Sequence, residues 1–148
     1  MPATSISVKI LGNAVKQYDD EIGNNHLTLF ASMEDDQGIP LPPGGRTAVP
    51  SGIALDLPDL YEAVVTPCPS LAEKLGVTVL NNPGTIDPDF KGEIQVLLIN
   101  LGGEKVTIGR GDKIAELRTR PFVRADFQEV DELSPSVRGS DGLGSTGV

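Results

Sequence analysis

With 148 residues, 39% of them apolar and 22% charged, the chain has the composition of one globular domain with a core of ordinary size. Acidic residues outnumber basic ones 21 to 12, giving a net charge of −9, and no basic stripe interrupts that balance. Duplex nucleic acid, whose affinity rests on phosphate neutralisation, is therefore not an expected partner, whereas a small phosphorylated ligand stays open because one local cationic pocket would suffice.

The first residues, MPATSISVKI, lack the charged segment and apolar run of a secretory signal. The most apolar run, VLLINL at residues 96–101, is too short to cross a bilayer. Cys68 is the only cysteine, so neither an intrachain disulfide nor a zinc-ligand cluster is expected. These features predict a soluble cytoplasmic protein with no membrane partner.

Along the chain, residues 5–11 alternate, with Ile6, Val8 and Ile10 on one face. Residues 46–58 hold two short apolar runs broken at Pro50 and Gly52. Residues 61–67 and 77–82 are further strand-like runs, and 93–102 is the strongest of all. Val106 and Ile108, then Ile114, Ala115 and Leu117, close the series. The turn signals DDQG, LPPGG, NNPG, LGGE and GRGD punctuate these runs at intervals typical of an all-β fold. PSLAEKLG, residues 69–76, opens on proline–serine and stops on glycine, which predicts one or two helical turns. Beyond Phe122 the pattern fades into an extended arm. The expected fold is an all-β sandwich or barrel over residues 1–125, with one short helix, followed by a C-terminal arm over 126–148.

The densest chemistry lies in LNNPGTIDPDFKGEI, residues 80–94. Asn82-Pro83-Gly84 reads as a turn joining two apolar runs into a hairpin. Thr85 and Ile86 lead into Asp87, followed by Asp89 and the aromatic Phe90. A turn with exposed backbone donors, an acid beside it and an aromatic just beyond can clasp a base and its sugar; the same spacing also suits a plain hairpin with polar tips. The end of the chain, RGSDGLGSTGV, could wrap phosphate with converging N–H groups, hydroxyls and Arg138, or simply fray.

GTIDPDFKGEIQVLLINLG resembles the third signature motif of the homotrimeric dUTPases. IPLPPGGRTAVPSGIALDLPDLYEAVV resembles the stretch between the family's first and second motifs, GRGDKIAEL its fourth and RGSDGLGSTG its fifth, all in order over roughly residues 27–147. The resemblance implies a β-clip type sandwich or jelly roll, assembled as a homotrimer with clefts shared between subunits. The implied reaction cuts dUTP to dUMP and pyrophosphate with Mg2+ as cofactor, so the implied partner is a small uridine nucleotide. Asp87 would orient and activate the attacking water. Asn81 and the backbone of Gly84, Thr85 and Ile86 would read the uracil edge. Phe90, where the family has tyrosine, would pack on the deoxyribose and leave no room for a 2′-hydroxyl. Arg138, Gly144, Ser145 and Thr146 would belong to an arm closing over the phosphates, with Leu143 where many members have a stacking aromatic.

The resemblance weakens at the phosphate half. The family's first motif aligns with NHLTL, which puts Thr28 where an aspartate helps hold hydrated magnesium; a threonine offers no charge to a hard cation, and no protein metal ligand is expected. The second motif's arginine and serine are Cys68 and Pro69, with Ser70 one place late as a substitute, and the fourth motif's glutamine is Glu116. Arg46, Arg110 and Lys113 are the cations that could replace the lost arginine. Each lost contact to a transferring phosphate costs roughly 2.7–4 kcal/mol. The expectation is a nucleotide-binding member with weakened or lost hydrolysis; the alternatives are a fully active dUTP diphosphatase and a trimeric scaffold without nucleotide. A nucleophilic role for Cys68 is disfavoured, because the only histidine, His26, falls in another motif. The dCTP deaminases share IDPDF, but their catalytic glutamate would fall on Leu97, which disfavours deamination.

Overall fold

The computed structural model describes residues 4–12, 14–15, 26–140 and 142. Their order is β1 Ser7–Ile10, β2 His26–Phe30, β3 Ile39–Leu41, β4 Arg46–Pro50, β5 Ile53–Asp56, β6 Tyr61–Pro67, α1 Pro69–Leu75, β7 Val77–Val79, β8 Gly84–Ile86, β9 Gln95–Asn100, β10 Val106–Ile108 and β11 Lys113–Pro121. Every strand pairing among them is antiparallel. A four-stranded sheet runs β2-β11-β6-β8 and a three-stranded one β4-β9-β7, with the pairs β1-β5 and β10-β3 beside them. The all-β architecture with one short helix and a C-terminal arm is what the sequence led us to expect. No described helix is long and apolar enough to cross a membrane.

Alternation builds the core. In β9, Val96, Leu98 and Asn100 are buried while Gln95 and Leu97 face out. In β11 the adjacent Ile114 and Ala115 are both buried, because a register shift between Lys113 and Ala115 bulges the strand and turns neighbouring residues inward. Leu29, Leu41, Val49, Ile53, Val77 and Leu117 join them in one cluster drawn from all four sheets. The buried Asn100 is satisfied: its Nδ2 donates to the carbonyls of Leu41 at 2.9 Å and Glu104 at 2.8 Å, and its Oδ1 accepts from the Gly102 N–H at 2.9 Å. Helix α1 starts on Pro69, whose missing N–H costs nothing there, and stops at Gly76 in the left-handed region with φ 67°.

One expectation is corrected. Residues 77–86 do not form a hairpin: β7 pairs with β9, whereas β8 pairs with β6, so the turn at 80–83, with its cis Asn82–Pro83 bond, carries the chain from one sheet to the other. On the face that Ile6, Val8 and Ile10 share by alternation, Ile6 and Val8 are half-buried against the core while Ile10, at the strand end, is 50% exposed.

Candidate functional site

The sheet crossover at 80–83 leaves β8 as an edge strand with its neighbouring loop free to shape a cleft. Thr85, Ile86, Asp87 and Phe90 line one cavity of about 260 Å³, together with Glu93, Ile94 and Gln95. That volume lies at the lower edge of the roughly 300–1,000 Å³ usual for ligand sites. The Asp87 carbonyl accepts from the Phe90 N–H at 3.1 Å, which closes the turn and brings the aromatic ring back beside the acid. Beyond the turn, Lys91 pairs with Asp56 and the Ile94 N–H donates to Ile53 at 2.9 Å, so the loop is tied to β5 on its far side.

Asn81 and Gly84 do not line this cavity. They lie close to each other, a Cβ added to Gly84 sitting 3.3 Å from the Asn81 amide nitrogen. Sequence reasoning missed Glu93 and Gln95. Glu93 is pinned by the Gly52 N–H, which donates to its Oε1 at 2.9 Å, a contact 41 positions back along the chain that no local pattern signals. Both residues also border a larger cavity of about 500 Å³ whose rim carries Glu34 and Asp35, an unfavourable path for a phosphate chain.

The sequence departures at the other half come together in space. Thr28 on β2 lies directly opposite Glu116 on β11, and Glu116 lies opposite Thr66 on β6, two residues before Cys68. Substitutions 88 positions apart are thus cross-strand neighbours on one sheet face. Glu116 accepts from Arg118 at 3.2 Å. Cys68 is buried, and its Sγ lies 3.3 Å from the Ser70 hydroxyl, so the late serine is engaged with the cysteine rather than offered freely. Ser70 does not border the Asp87 cavity.

Of the cations that could replace an arginine at 68, Arg110 is committed to the Met33 carbonyl at 2.8 Å, and Arg46 belongs to β4 in the other sheet. Lys113 stands over the Phe30 ring at 5.9 Å, at the same end of the four-stranded sheet as Cys68. Among the described residues no three His, Cys, Asp or Glu side chains gather as a metal site, and Thr28 brings no carboxylate. The chain's own residues do not fit a protein-held divalent cation here. Arg138 donates to the Gly142 carbonyl at 3.0 Å in an exposed arm; Leu143, Gly144, Ser145 and Thr146 lie outside the described residues.

This geometry agrees with what the chain is similar to. The dUTPase family model matches residues 34–147. A deoxyuridine 5′-triphosphate nucleotidohydrolase of Beijerinckia indica is 50% identical over 121 residues, covering 82% of this chain and 76% of that protein. One from Anaplasma marginale is 46% identical, covering 82% of each. Among solved structures, the dUTPase of Staphylococcus bacteriophage 80alpha with dUPNHPP superposes with a TM-score of 0.81 at 21% identity, over 99% of this chain and all of that one. A variant dUTPase from phage phi11 of S. aureus, described as coordinating a structural Mg(II) ion, superposes at 0.75 with 18% identity, over 87% of this chain and 98% of that one. The structural likenesses carry the fold and the sequence relatives carry the kinship: the chain belongs to the dUTPase family.

Proposed function

We propose that the protein binds a deoxyuridine nucleotide in a cleft shared between the subunits of a homotrimer, and that it hydrolyses dUTP slowly. The observation that carries this reading is the division of the site. Asp87, Phe90, Thr85 and Ile86 line one cavity, while Thr28 and Glu116 pair across strands of the sheet that holds β8, with Cys68 just beyond β6; on this reading those three would face the phosphates. In one chain, β8 and β2 are separated by two intervening strands. Strand spacing of about 4.8 Å puts Thr28 on β2 roughly 14 Å from β8, while Cys68 follows the strand next to β8; a span of that length favours a cleft completed by a neighbouring subunit.

The base would be read by Asn81 and the β8 backbone, and the sugar would pack on Phe90. The Asp87 carboxylate, which no other described group engages, stands exposed beside the cavity, where it can take a proton from water attacking the α-phosphorus. Residues 126–148 would form the arm whose Arg138, Gly144, Ser145 and Thr146 close over the phosphates. Magnesium, when bound with the triphosphate, would neutralise its charge, but Thr28 gives the ion no anionic partner and Glu116 adds a negative charge where phosphate should lie. Cys68 and Pro69 supply neither a cation nor a donor.

The deciding experiment measures pyrophosphate release from dUTP with magnesium beside calorimetric binding of dUTP, dUMP and UMP. Binding of dUMP with release at least a hundredfold below that of the Beijerinckia indica relative, assayed in parallel, supports the reading. A full dUTP diphosphatase is the second reading, favoured by the 50% identity to that relative; fast release abolished by Asp87→Asn would establish it. Absence of binding by all three nucleotides would overturn both.

A further inference from the structure

Phe90 is the aromatic residue of the cavity wall, and its ring folds back over the chain that follows it. A Cβ added to Gly92 would lie 2.9 Å from the ring's Cζ and 3.2 Å from Cε2, closer than side-chain carbons pack. The φ of Gly92 is not in the left-handed region, so its backbone would accept another residue; only the ring excludes one. The loop's backbone is held by the Phe90 N–H on Asp87 and the Ile94 N–H on Ile53, while the ring itself is 45% exposed. A methyl group at 92 would therefore be relieved by the ring swinging outward, not by movement of the chain.

We propose that Gly92 is a specificity-determining positioning residue: its bare Cα lets the Phe90 ring lie down at the mouth of the Asp87 cavity, where the ring forms the wall against a 2′-hydroxyl. This rests on the reading of the cavity as a deoxynucleoside site. Gly92 touches no substrate; it acts through Phe90.

The test is calorimetric binding of dUMP and UMP to the full chain, as wild type, G92A, F90A and F90A/G92A, with a melting curve for each. Wild type should prefer dUMP to UMP by about a hundredfold, within the range of one-group discrimination in a pocket. In G92A that preference should fall below about tenfold with an unchanged melting temperature. In the F90A background, adding G92A should change neither affinity nor preference, because the ring through which Gly92 acts is gone. A wild-type preference kept in G92A, or a further loss on adding G92A to F90A, overturns the proposal. So does a large fall in the melting temperature of G92A that F90A does not rescue, which would assign Gly92 to the fold instead. A wild type that binds neither nucleotide refutes the deoxynucleoside reading itself, an outcome visible without any variant.

Discussion

Replacing Cys68→Arg and Pro69→Ser together should raise dUTP hydrolysis at least a hundredfold over wild type. Cys68 sits where β6 ends and α1 begins, buried itself but followed by exposed Pro69 and Ser70. An arginine there can keep its stem in the cysteine's place and carry the guanidinium into solvent within one residue. The change frees the Ser70 hydroxyl from its 3.3 Å contact with Sγ, and Pro69→Ser restores a backbone N–H at the helix start. One recovered contact to a developing phosphate charge contributes roughly 2.7–4 kcal/mol, or a hundredfold and more. The structural cost is small: one weak hydrogen bond and the proline's restriction of the unfolded chain, about 1–2 kcal/mol together. That corresponds to a fall of about 2–8 °C in melting temperature for a domain of this size. Pyrophosphate release, dUMP calorimetry and a melting curve on the same preparation check all three figures. Unchanged release with dUMP affinity and folding intact would refute the reasoning, since the deficit would then not lie at positions 68 and 69.

Asp87→Asn should lower any turnover by about 10²–10⁴-fold, the range for removing a general base, while the melting temperature stays put, because the carboxylate is exposed and engages no other described group. Glu116→Gln should tighten dUTP about fivefold and leave dUMP unchanged, since about 1 kcal/mol of like-charge repulsion is removed only where the outer phosphates lie; calorimetry of the two nucleotides separates these outcomes. Asn100→Ala should destabilise the fold by about 3 kcal/mol in chemical denaturation, because three hydrogen bonds go, leaving the buried Leu41 carbonyl and the part-buried Glu104 carbonyl and Gly102 N–H without this partner.

Much of the fold was legible because the strands that bury one face alternate. The β9 run, the helix between Pro69 and Gly76, and the bulged β11 all announce themselves through local residues. β3 does not: it is Ile39–Leu41 with a proline at its centre, tolerated because it pairs only with β10 at an edge. The turn at 80–83 misled for a related reason. Two apolar runs around Asn-Pro-Gly look alike whether they pair with each other or with strands elsewhere, and the choice of β9 for β7 and β6 for β8 is made by long-range packing.

The same distinction governs the candidate site. The proposed nucleoside half is nearly contiguous, Asn81 to Gln95, so one stretch of sequence displays most of its members; only the anchoring of Glu93 by Gly52 is hidden. Its phosphate half exists only once β2, β11 and β6 have paired. Thr28, Glu116 and Cys68 look like three separate departures along the chain, but the register sets Thr28 opposite Glu116 and Glu116 opposite Thr66, two residues before Cys68. Once the arginine at 68 is gone, an aspartate at 28 would stand uncompensated beside Glu116, and like charges directly opposite each other on paired strands are destabilising. Threonine at 28 removes that repulsion and leaves Arg118 as the partner of Glu116. On this account the three substitutions are coupled, so Thr28→Asp alone should lower the melting temperature. Adding Glu116→Gln should restore the melting temperature, and adding Cys68→Arg with Pro69→Ser as well should raise turnover above that of Cys68→Arg and Pro69→Ser alone.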